Sequence, residues 1–236
     1  MSNFFNRVLL FIYGKTGVFD EVIFSLPIVI AFGFVYWYER RVSHKKTFGD
    51  NFREVRKKAR LNETIRLLLF CWLAEVICVT LFPTEFWFAY WRNLCADHIR
   101  IFNFSFWFDR FRFYTPNLIP YVLYQAIKGQ LNWDSLLRYE IPHFAVNIAL
   151  FVPLGVALPF VFKEATLPKA ALAGFILSFQ IEFLQFFIAR DSDIDDVICN
   201  TLGAVLGYLL YLLMKKLFPK FTEKCKIQSS EFNGSL

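Results

Sequence analysis

Residues 189–200 read ARDSDIDDVICN, and within them Arg190, Asp191, Asp193, Asp195 and Asp196 set one guanidinium among four carboxylates. This charge lies between two long apolar runs. Asn200 follows Asp196 by one helical turn, and Gly203 and Gly207 continue the same stripe. On the run before the turn, Ser178, Glu182 and Gln185 follow i, i+4, i+7 spacing and share one helix face. On a third run Asn147 lies one turn after His143. Such groups bind amines, hydroxyls or, through arginine, phosphates and carboxylates. Two carboxyl groups in apolar surroundings also serve as acid and base. An ionisable group at mid-membrane costs roughly 2.5–3.5 kcal/mol on insertion scales, so each needs a partner or a role.

Two explanations of the cluster stand side by side. In one, the groups satisfy each other: Arg190 pairs with an aspartate and Glu182, the asparagines cap helix ends, and Asp195 or Asp196 complements a helix dipole. In the other, a functional site is built on the same network.

Several chemistries fail on their motifs. Asp191, Asp193 and Asp195 imitate the start of a calcium loop, but Asp196 stands where glycine is needed and Leu202 where glutamate is needed. A single divalent ion on some of these carboxylates is the minor alternative, and no metal or cofactor is expected. Gly14–Thr16 reads GKT without the upstream glycine of a phosphate loop, since Leu9 stands there. The histidines, at 44, 98 and 143, form no zinc signature. No nucleophile elbow exists, so hydrolysis has no obvious nucleophile. The five cysteines, at 71, 78, 95, 199 and 225, make no CxxC pair and read as small core residues without a disulfide framework.

The elements that position these residues are membrane helices. The 236-residue chain is 56% hydrophobic with a mean hydropathy of +0.41, above the apolar share of soluble domains. Lipid leaves no partner for open backbone groups, so apolar runs of spanning length must be helices. Five spans are expected, at about Val22–Tyr38, Ile65–Phe82, Phe144–Phe162, Lys169–Ala189 and Asp196–Phe218. The start of the chain shows no cleavable signal peptide. The fold class is therefore all-α: a polytopic membrane helix bundle.

Residues 39–60 form a basic loop with nine Lys or Arg against three acids. Lys163 and Lys169 fall between spans 3 and 4, and Lys215, Lys216, Lys220, Lys224 and Lys226 follow span 5. The positive-inside rule puts all three on the cytoplasmic side, with the N-terminus outside and the C-terminus inside. Topology and anionic inner-leaflet lipids account for the net charge of +6. The basic residues lack stacking platforms, so no nucleic-acid partner is expected, and membrane lipids are. Residues 84–143 and the acidic turn then face outward. Phe86–Tyr124 is crowded with aromatic residues interleaved with Arg92, Arg100, Arg110 and Arg112, a composition suited to the headgroup level. It reads as membrane anchoring or as an amphiphile groove. Asn132–Tyr139 reads as a short surface helix capped by Asn132 or Asp134. Asn147, Glu182, Gln185, Arg190, Asp193, Asp195, Asp196 and Asn200 all fall at a similar outer depth, contributed by three helices. Glu75, in span 2, is either an interior hydrogen-bond partner or part of the same cavity. Gly203 and Gly207 read as a close-packing motif.

The blocks NLIP (Asn117–Pro120), NIALFVPLGVALPF (Asn147–Phe160), LSFQIEFLQFF (Leu177–Phe187) and ARDSDIDDVICNTLGAVLGYLLY (Ala189–Tyr211) resemble, in order and spacing, the VanZ-like family, named for a teicoplanin-resistance protein. The resemblance covers about residues 61–215. Ala189 replaces a glycine more usual in the family. The resemblance implies a multi-pass membrane protein and adds Asn117, Pro120, Pro153 and Gly155 to the characteristic positions. It divides the chain into an extra helix and basic loop (1–60), a VanZ-like membrane domain (61–215) and a basic cytoplasmic tail (216–236).

Three functions follow, in order of preference. The first is a non-enzymatic cell-membrane protein linked to glycopeptide resistance. Its outward polar pocket, made of Asn117, Asn147, Glu182, Gln185, Arg190, Asp193, Asp195, Asp196 and Asn200, would bind a lipid-linked cell-wall precursor or a lipoglycopeptide. The second is an intramembrane enzyme acting on a lipid-linked substrate through Glu182 and an aspartate. The third is a scaffold whose polar cluster is purely structural.

Overall fold

The computed structural model describes residues 18–49, 52–82, 116–187 and 192–226. Residues 83–115, which hold most of the aromatic segment and Cys95, lie outside the described residues, as do Ala189, Arg190 and Asp191.

The described residues form helices, with one isolated β-bridge. Helix α1 spans Val18–Phe48, α2 Phe52–Leu81, α3 Tyr121–Ile127, α4 Trp133–Val161, α5 Leu167–Phe187, α6 Ile194–Leu217 and α7 Pro219–Lys226. Five of them (α1, α2, α4, α5 and α6) are long and apolar enough to cross a membrane. The protein is a multi-pass membrane helix bundle.

Three expectations need correction. Of the basic segment 39–60, expected as a loop, residues 39–48 continue α1 and residues 52–60 begin α2, with Gly49 at φ +48° between them and Asp50 and Asn51 outside the described residues. Lys, Arg and Glu are strong helix formers, and solvated helix ends accept their charge. Asn132–Tyr139 is continuous with the third span through a π-turn at Leu136–Glu140, so it is not a separate surface helix. Asn132 is the cap, accepting from the Asp134 and Ser135 N–H groups at 3.0 and 3.3 Å. The start of α6 moves back to Ile194 because Asp193 caps it, its carboxylate accepting from the Asp195 N–H at 3.0 Å.

The bundle carries many of its large apolar side chains outward. Ile30, Phe34, Leu172, Phe179 and Leu213 are exposed, as lipid contact requires. Small residues lie inside. A Cβ at Gly203 would stand 2.2 Å from the Ile148 carbonyl oxygen, one at Gly207 2.1 Å from that of Val152, and one at Gly155 2.0 Å from that of Ala204. Helices α4 and α6 therefore meet backbone to backbone, the contact expected of Gly203 and Gly207. Helix α2 joins this core through Val76, Trp72 and Leu69, packed with Phe151, Leu154 and Ile181.

Helix α1 packs on α2. Arg40 forks onto Glu63 at 2.6 and 3.2 Å, Tyr36 stacks on Phe70, and Ser25 Oγ donates to Glu75 Oε1 at 2.6 Å. Glu75 is thus a hydrogen-bond partner between α1 and α2. At the lysine-rich end, Asn62 Nδ2 donates to the Phe160 and Cys225 carbonyls at 2.8 and 2.9 Å. Arg66 donates to Asn62 Oδ1 and to the Val161 carbonyl. These two side chains satisfy carbonyls that the ends of α4 and α7 leave open. Cys225 is fully buried against Phe160 and Tyr211, and burial raises its thiol pKa. Cys71, Cys78, Cys199 and Cys225 are all free thiols.

Candidate functional site

At the opposite end, the expected residues sort into four linked groups. The first is a knot between the NLIP segment and the acidic turn. Asn117 N–H donates to the Ser192 carbonyl at 2.9 Å, and Ile194 N–H donates to the Asn117 carbonyl at 3.0 Å. This pairs Asn117 with Asp193 in a short parallel bridge, and Asn117 Nδ2 also donates to Asp193 Oδ2 at 3.3 Å. Glu182, 5% exposed, accepts from the Asp193 N–H at 2.8 Å.

Asp195 completes this knot. Pro120 precedes α3 and has no N–H, and the Tyr121 N–H donates to Asp195 Oδ2 at 2.6 Å. One carboxylate in the first turn of α6 therefore also terminates α3. Both helix starts present open N–H groups and a positive dipole end, which stabilise carboxylates there.

The second group is the rim. Asn147 Nδ2 donates to Asp196 Oδ1 at 2.5 Å, and His143 Nε2 stands 3.7 Å from the same oxygen. The His143 side chain is 53% exposed, so this group meets the surroundings. The third is a buried pair, in which Asn200 Nδ2 donates to Ser178 Oγ at 2.8 Å. In the fourth, Gln185 Nε2 donates to the Thr80 carbonyl at 2.9 Å, in the last turn of α2. The Gln185 and Asn200 side-chain oxygens are buried and accept no hydrogen bond among the described residues.

Asn117, Asn147, Glu182, Gln185, Asp193, Asp195, Asp196 and Asn200 thus converge at one end of the bundle, although Gln185 turns toward α2 and Asn200 toward Ser178. Arg190 lies outside the described residues. Sequence reasoning missed the Tyr121 amide as the partner of Asp195. Pro120 was the available signal, because a helix beginning after proline still has open N–H groups. Reasoning on the sequence placed His143 beside the site without including it in the rim, and the i, i+4 step to Asn147 was the clue. The Thr80 carbonyl has no sequence signature.

An exposed apolar apron adjoins the knot. Leu118, Ile119, Leu123, Tyr124 and Ile127 project from the NLIP segment and α3, and Trp133, Leu137 and Tyr139 from the start of α4. Apolar and aromatic side chains thus lie beside a carboxylate-rich helix junction, a composition suited to a membrane–water interface. The sequence profile of the family described as VanZ/LLP1 matches residues 67–215, which takes in the knot, the rim and helices α3 to α6. The chain belongs to the VanZ/LLP1 family. It is also 44% identical over 72 residues to Protein VanZ of Enterococcus faecium, a match spanning 30% of this chain and 44% of that protein. No solved structure matches the chain.

Proposed function

We propose that the protein is a cell-membrane component linked to glycopeptide resistance, binding the polar–apolar junction of an amphiphile at its acidic end. The ligand is a lipid-anchored cell-wall precursor or a lipoglycopeptide. In this reading the acidic end faces outward, since the lysine-rich end belongs in the cytoplasm by the positive-inside rule. The supporting observation is that the apolar apron is tied by Asn117 and by Asp195–Tyr121 to the carboxylate junction. A tail lies on the apron while the headgroup reaches the rim of Asn147, Asp196 and His143. Carboxylate, amide and imidazole there meet amines, hydroxyls and amide groups. The likeness to a protein named VanZ supports the link to resistance.

The carboxylates favour a division of labour. Glu182, Asp193 and Asp195 accept backbone N–H groups, so they hold the apron and rim in place. Susceptibility to teicoplanin and vancomycin, measured with and without the gene, tests the reading. Loss of the gene is expected to sensitise cells more to the lipid-tailed drug, and Asp196→Asn to do the same at normal protein abundance. An equal shift for both drugs would refute tail recognition. Loss of phenotype only in step with abundance, across Glu182→Gln, Asp195→Asn and Asp196→Asn, would assign the whole cluster to structure.

A further inference from the structure

At the opposite end from the rim, the short turn that joins α4 and α5 borders an open cavity of about 500 Å³. Leu158 and Val161 line it from α4, Phe162, Lys163 and Glu164 from the turn, and Lys169 from the first turn of α5. That volume lies within the range of small-ligand sites, about 300–1,000 Å³.

We propose that this cavity binds the phosphate of an anionic phospholipid headgroup, with the apolar wall receiving the first part of the acyl region. Three observations carry the assignment. First, the cavity sits where two spans end, at Val161 and Leu167, which is headgroup depth whichever way the protein faces. Second, its lining combines apolar side chains at the end of α4 with two lysines, the two chemistries that a phospholipid presents at headgroup depth. The start of α5 adds the positive end of a helix dipole. Third, the turn is braced before any ligand arrives. Arg66 donates to the Val161 carbonyl at 3.2 Å, Tyr208 Oη to the Ala165 carbonyl at 3.3 Å, and Phe162 N–H to the Leu158 carbonyl at 2.8 Å.

Glu164 is the one acid in the lining. It meets Lys169 at 3.3 Å, but its side chain is 89% exposed and that of Lys169 58%. An exposed pair of this kind holds weakly, so phosphate displaces the carboxylate from Lys169. Glu164 then swings into solvent.

Native mass spectrometry of the full chain, with phosphatidylglycerol and phosphatidylcholine supplied separately, reads the binding directly. Both lipids offer the phosphate, but the choline of phosphatidylcholine brings a cation against the two lysines, so wild type is expected to retain phosphatidylglycerol roughly 30-fold better at about 1 kcal/mol per lysine. Lys163→Gln/Lys169→Gln should abolish that preference, whereas Lys220→Gln/Lys224→Gln, which removes the same charge from α7, should keep it. Loss in both double variants would overturn the proposal in favour of unspecific attraction to a basic end. Retention in the first variant would overturn it outright. Millimolar inorganic phosphate is expected to leave lipid retention unchanged, and its competition would reassign the cavity to a soluble phosphate compound. The substituted lysines are exposed, so thermal unfolding of both variants should match wild type.

Discussion

Replacing Asp195 with alanine should release α3 and the NLIP segment from the bundle. The carboxylate is 8% exposed and takes the Tyr121 N–H at 2.6 Å. A hydrogen bond to a charged group contributes about 1.5–3 kcal/mol. An acid in the first turn of α6 adds about 0.3–1 kcal/mol through the helix dipole. The dipole contribution falls on α6, so the loss on residues 117–127 is the hydrogen bond's about 1.5–3 kcal/mol. Local opening governs amide exchange, and every 1.4 kcal/mol is ten-fold, so exchange across Tyr121–Ile127 should accelerate roughly ten-fold or more. Asp195→Asn keeps an acceptor oxygen and should give a clearly smaller acceleration. Hydrogen–deuterium exchange with mass spectrometry in detergent or nanodiscs is the assay, with residues 219–226 as the internal control. Acceleration below three-fold in Asp195→Ala, or an equal rise in α7, would refute Asp195 as the local tie.

Four further outcomes follow from the packing. Asn62→Ala removes donors to two buried carbonyls, at about 1–3 kcal/mol for each group left unpaired. Cys225, a buried thiol whose raised pKa keeps it protonated at neutral pH, should resist maleimide in wild type and label at least ten-fold faster in the variant. Gly207→Ala would force a methyl group to 2.1 Å from the Val152 carbonyl oxygen, and should lower the unfolding temperature and protein abundance. Gly33→Ala should be nearly neutral, because the atom it meets at 2.7 Å is the Cys71 sulfur, which can rotate away. Ser25→Ala leaves Glu75 without its donor on α1 and should weaken the α1–α2 pairing by about 1–3 kcal/mol, read as faster proteolysis of α1 with α4–α6 unchanged.

Much of this architecture is legible in the sequence because lipid is a severe solvent. Five apolar runs of sufficient length have no alternative to the helix, and their positions come out within a few residues wherever composition changes sharply. Helical periodicity also places Ser178, Glu182 and Gln185 on one face, and that face is buried. Gly203 and Gly207 signal close contact because only a missing Cβ lets two backbones approach so nearly. The boundaries that went astray are those where polar residues continue a helix, as at residues 39–60 and Asn132–Tyr139, since hydropathy falls there while helix propensity does not.

Pairing is what the tertiary structure decided. From sequence alone the acids at 182, 193, 195 and 196 were equivalent members of one cluster. In the fold, Glu182, Asp193 and Asp195 each hold a backbone N–H, and only Asp196 joins the exposed rim. Backbone N–H and carbonyl groups carry no residue identity, so the Tyr121 donor and the Thr80 acceptor could not be read from side-chain types. Depth and helical face follow from the sequence because they are one-dimensional. Which carboxylate braces the helices and which meets the surroundings depends on how α3, α4, α5 and α6 are set against one another.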